Sequence, residues 1–92
     1  MSLGTFERRS EPREKYYSPI EFSLKSEPDR TIRGIGTNVS KSGLGIFSYA
    51  PLYEGQEIIV KGGLPNTRVE YAVRWSSELM ENFFRAGLRA TG

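Results

Sequence analysis

The 92 residues include neither histidine nor cysteine, so any chemistry falls to guanidinium, ammonium, carboxylate, amide, hydroxyl and aromatic groups. Two short segments gather such groups at informative spacing. Arg8, Arg9 and Arg13 lie within six residues, in the run Arg-Arg-Ser-Glu-Pro-Arg. A guanidinium is a planar fork that pairs bidentately with phosphate oxygens or with guanine O6 and N7, and its face stacks on a base. The second segment is Asn38-Val39-Ser40-Lys41-Ser42-Gly43. Strand alternation puts Asn38 and Ser40 on one face and Val39 on the other. Gly43 tolerates positive φ and lets a ligand approach the backbone. Each segment alone also has a plain reading. The arginines are interleaved with Glu7, Glu11 and Glu14, as in a solvated, self-neutralised stretch, and Asn and Ser commonly cap a β-corner.

Catalysis fits poorly. The commonest general base, metal ligands and thiol nucleophile are missing. No pair among the remaining carboxylates, lysines, tyrosines and serines has a recognisable catalytic spacing. A binding protein without a metal site is expected, not an enzyme. Thirteen Lys and Arg against eleven Asp and Glu give a net charge of +2. That is thin for a polyanion binder, and the basic residues are spread over the chain, so nucleic acid is not the expected partner. No apolar run approaches the roughly 18 residues that span a bilayer, and charge appears by Glu7 without a preceding apolar stretch. The expected location is cytoplasmic.

The elements that must position these residues are strands. Residues 1–15 carry four positive and three negative charges with Pro12 among them, which disfavours a helix there and predicts a flexible N-terminal arm. Residues 16–92 are expected to form one β domain. Ile20, Phe22 and Leu24 alternate with Glu21, Ser23 and Lys25, the period of a half-buried strand. Ser26 to Asp29 is a turn, and Thr31 to Val39 a second strand in which Gly34 and Gly36 suggest a bulge, a bend or close backbone approach. Leu44 to Ser48, Gln56 to Lys61, Val69 to Trp75 and Phe83 to Ala90 complete the set, with Pro51 to Gly55 and the Gly62-Gly63-Leu64-Pro65-Asn66 segment as turns. Ser77 to Asn82 is the one stretch that could form a helical turn. Six short strands with frequent turns predict an all-β fold, and closure would remove exposed edges. The expectation is a six-stranded antiparallel β-barrel with little or no helix.

In this setting the two segments resemble the PilZ domain, a bacterial receptor module for cyclic di-GMP. The family pattern is R-x-x-x-R in an N-terminal loop followed by D/N-x-S-x-x-G at a strand corner. Arg9 and Arg13 match the first, and Asn38, Ser40 and Gly43 the second. Four collinear elements extend the resemblance: Ser40-Lys41-Ser42-Gly43-Leu44-Gly45-Ile46, Pro51-Leu52 followed by Gly55, Val73-Arg74-Trp75, and Ala86-Gly87-Leu88-Arg89. Together they cover roughly residues 7–90. The resemblance implies that Arg9 and Arg13 grip guanine edges and phosphates, that Ser40 offers its hydroxyl, and that Gly43 leaves room for the ring. An arginine directly before the first motif, as Arg8 is here, accompanies two intercalated ligands in the family, so two cyclic di-GMP per protomer are expected. Asn38 offers one carbonyl oxygen where an aspartate would accept from both guanine N1–H and N2–H, so weaker guanine recognition follows. Arg74 or Trp75 would add a stacking surface if it faces the ligand. As part of the alternating set Val69, Tyr71, Val73 and Trp75, however, the tryptophan is by default a core residue.

The mechanism implied is a disorder-to-order change: arm and ligand close on the Asn38–Gly43 corner and form a new surface for a protein effector. Two other readings remain open. One is a barrel of this family that acts as an adaptor without nucleotide, and the other is a small barrel that binds single-stranded nucleic acid by stacking and backbone contacts.

Overall fold

The period-two segments all form strands in the computed structural model, which describes residues 14–63 and 69–91. They are β1 (Glu14–Leu24), β2 (Ile32–Val39), β3 (Gly43–Ser48), β4 (Glu57–Gly62), β5 (Glu70–Met80) and β6 (Phe83–Ala90). All neighbours are antiparallel, and the order β1-β2-β3-β6-β5-β4 closes on itself because β1 also pairs with β4. The six-stranded barrel expected from the alternation is therefore present. Closure gives every strand two partners over part of its length, which reduces the edge available to a second chain.

One side of each strand fills the barrel. Ile20 and Phe22 from β1, Ile32 and Val39 from β2, Leu44 and Ile46 from β3, Ile58 and Val60 from β4, Tyr71 and Val73 from β5, and Ala86 and Leu88 from β6 form the core with Leu52. Serine hydroxyls tie loops to this core. Ser23 Oγ donates to the Arg30 carbonyl at 2.7 Å, closing the turn after β1, and Ser76 Oγ donates to the Leu52 carbonyl, holding the β3–β4 connection against β5. Gly55 in that connection has φ 93°, the left-handed region that glycine enters without a Cβ penalty.

Two expectations need correction. Ser77 to Asn82 is no helical turn. β5 runs on to Met80, and a two-residue turn of Glu81 and Asn82 returns the chain into β6, with Asn82 at φ 62°. Asparagine tolerates that conformation better than most residues, so the strand need not break early. Gly34, by contrast, is where the expected close backbone approach occurs: it is buried, and a Cβ there would run into the Phe47 carbonyl oxygen and approach Phe22 Cε1 at 3.3 Å. Finally, Val69 lies on the exposed side, whereas Tyr71, Ala72 and Val73 are all buried, so β5 does not alternate cleanly.

The irregularity that matters most follows Val73. Val73 faces Leu88, and Trp75 faces Gly87, so Arg74 is an extra residue on β5. A bulge of this kind sets two residues against one and re-aims the side chains beyond it. Without it Trp75 would follow Val73 into the core. With it, Trp75 turns outward and is 45% exposed.

A candidate ligand cleft on the outer barrel face

Strand register assembles one row of residues from five strands. Lys15 on β1 faces Asn38 on β2, Asn38 faces Gly45 on β3, Gly45 faces Gly87 on β6, and Gly87 faces Trp75 on β5. The two central positions are bare, and their neighbours lean over them. A Cβ on Gly45 would meet Asn38 Nδ2 at 2.8 Å and Thr37 Oγ1 at 3.0 Å. A Cβ on Gly87 would strike the indole nitrogen of Trp75 and lie 2.6 Å from its Cε2. The amide of Asn38 and the indole of Trp75 thus lie on a shared glycine floor, approached from opposite sides.

A cleft of about 260 Å³ opens above this floor, lined by Thr37, Asn38, Gly45, Arg74, Trp75, Arg85 and Gly87 among others. Among the described residues its lining includes two arginines and no carboxylate. Asn38 is half-buried, and its Nδ2 donates to Thr37 Oγ1 at 3.3 Å. Arg85 reaches over the indole, with its guanidinium carbon 5.7 Å from the ring centroid. A cation over an exposed indole stabilises by about 0.5–1 kcal/mol, enough to bias the side chain and not enough to lock it.

The Asn38–Gly43 corner sits beside the cleft. Ser40 N–H donates to the Gly43 carbonyl at 3.0 Å, which turns the chain from β2 into β3. Ser40 is 8% exposed, and its Oγ is buried with no hydrogen-bond partner among the described residues. A buried hydroxyl without a partner loses its hydration uncompensated and is uncommon in folded proteins. Gly43 differs from expectation. It is not among the residues at positive φ, because it already lies in extended β3 backbone facing Arg89. Its contribution to the corner is a missing side chain at a buried position rather than a left-handed turn.

The structure thus joins Asn38 with Arg74 and Trp75, and places Ser40 and Gly43 at the adjoining corner. Arg8, Arg9 and Arg13, with the rest of residues 1–13 and residues 64–66 of the expected turn, lie outside the described residues; Glu14 and Lys15, expected in the arm, instead begin β1 and pair with Val39 and Asn38. Trp75 is not a core residue as strict alternation suggests, because the extra residue at Arg74 reverses its face. Sequence reasoning missed Arg85, Gly45 and Gly87 as parts of the cleft. Both glycines stood in recognisable strand elements, but nothing local shows that they face each other. Among the described residues no cluster of carboxylates could hold a metal ion, and no helix is long and apolar enough to cross a membrane.

No family model and no curated protein matches the sequence. Among solved structures, the chain is similar in fold to the Bacillus subtilis inhibitor of motility, MotI/DgrA, with a TM-score of 0.64 and 18% identity. The alignment covers 95% of this chain and 44% of that one, so the chain spans less than half the length of its structural neighbour. The likeness is one of fold alone.

Proposed function

We propose that the chain is a receptor for cyclic di-GMP, with no catalytic activity of its own. The observation that carries this reading is the outer row, where the Asn38 amide and the Trp75 indole share a glycine floor beside Arg74. A guanine base needs a flat face to stack on and a polar group at its edge, and its phosphates need cations without competing carboxylates. The cleft offers one of each. The Ser40 hydroxyl, buried without a partner among the described residues, supplies a further donor at the corner. Arg9 and Arg13 then close on the ligand from the N-terminal side, as the resemblance of both motifs implies, with Arg8 serving a second ligand molecule. Ordering of residues 7–13 would convert occupancy into a surface that a protein effector can recognise. The structural neighbour is an inhibitor of motility, and regulation through a protein partner is the class of role proposed here.

Calorimetry with cyclic di-GMP tests the reading, with GTP and cyclic di-AMP as controls. Saturable micromolar or tighter binding, a preference for cyclic di-GMP, and loss of binding in the Arg9→Ala/Arg13→Ala double variant are expected. A purified chain that ignores cyclic di-GMP is not this receptor.

A further inference from the structure

Arg85 has no assigned role in the reading above. It projects from the outer face of β6, where it faces Phe47 on β3 and Ser77 on β5. Its side chain is exposed, and among the described residues its one recorded partner is the Trp75 ring. Arg74 enters the same cleft from the bulge on β5. The adjoining cleft is a useful contrast. Arg74 and Arg89 line it, but so do Glu54 and Glu57, so its positive charge is balanced. Among the described residues, the Trp75 cleft has two guanidinium groups, an exposed indole and no acidic side chain in its lining. A free anion would gain nothing from the indole, and a neutral ring would gain little from two cations. The combination suits an aromatic ring joined to an anion.

We infer that Arg85 is a phosphate-binding residue: with Arg74 it takes a phosphate group of a nucleotide whose base lies on Trp75. This rests on the receptor reading and adds a contact that the N-terminal arginines do not supply. Arg85 starts over the indole, where the cation–ring attraction is weak, and turns its fork to the phosphate oxygens, a charge-assisted pairing that is much stronger.

Trp75 is the one tryptophan in the chain, so its fluorescence reports the cleft directly. The experiment titrates the full chain with cyclic di-GMP, linear diguanylate, GTP and guanosine, for the unmodified protein and for Arg85→Gln, Arg85→Lys and Arg89→Gln. Arg85→Gln is expected to weaken cyclic di-GMP binding about tenfold or more, the usual loss for a hydrogen-bonded charge pair, while Arg89→Gln stays within about twofold. Arg85→Lys should fall between them, because it keeps the charge and loses the fork. Guanosine, which lacks phosphate, should bind equally well to the unmodified protein and Arg85→Gln. The inference is overturned if Arg85→Gln binds cyclic di-GMP as well as the unmodified protein, if both glutamine variants lose affinity equally, or if guanosine suffers the same loss. If Arg85→Gln does not fold, the Arg85→Lys titration decides. Should cyclic di-GMP fail to bind while GTP or the linear dinucleotide binds with the same Arg85 dependence, the receptor reading falls and the Arg85 assignment stands. If no nucleotide binds, both fall.

Discussion

Asn38 is where a single atom decides the most. Its side chain reaches over Gly45 into the cleft, in position to meet a base edge. An amide presents one acceptor and one donor group, whereas guanine's Watson–Crick edge presents two adjacent donors. Asn38→Asp replaces the mismatched NH₂ by a second acceptor and adds charge. Its cyclic di-GMP affinity, read by calorimetry, should rise by about 1 kcal/mol, the size of one improved hydrogen bond. An unchanged or weaker affinity would mean that position 38 does not meet the guanine edge.

At the scale of the strands, the glycines separate structural from functional spacing. Gly34 and Gly87 both lack room for a Cβ, but the obstacle differs. At Gly34 it is the Phe47 carbonyl, a fixed atom of the β3 backbone. At Gly87 it is the Trp75 side chain, which is exposed and can swing away. Gly34→Ala should therefore destabilise the barrel by about 1–3 kcal/mol through overpacking, seen as a lower urea midpoint. Gly87→Ala should leave that midpoint nearly unchanged, shift the Trp75 emission, and cost about 1–3 kcal/mol of ligand affinity, the value of one base–aromatic stack. Equal effects of the two substitutions on stability would refute the distinction. The bulge at Arg74 belongs to the same scale: one extra residue moves the indole from the core to the surface and brings Arg74 to the same cleft.

For the whole molecule, the barrel is a scaffold whose closure fixes the floor of the cleft before any ligand arrives. The proposed response then lies in residues 7–13, whose amide exchange should slow on saturation with cyclic di-GMP, with an endpoint of two ligands per chain. Unchanged exchange would remove arm ordering, and an endpoint of one would remove the second ligand assigned to Arg8. The sequence by itself was enough for the six strands, their main turns and the barrel class, because period-two alternation and turn residues act over a few neighbouring positions. It also marked Asn38, Ser40, Arg74 and Trp75 as residues of interest. It misjudged the 77–82 segment and the alternation through β5, since a bulge and a two-residue asparagine turn depend on what the opposite strand does. Only the tertiary structure decided that Trp75 faces outward, that Gly45 meets Gly87 beneath it, and that Arg85 shares its cleft. Those relations are set by register between strands distant in the chain, and a one-residue offset in pairing sends a side chain to the other face.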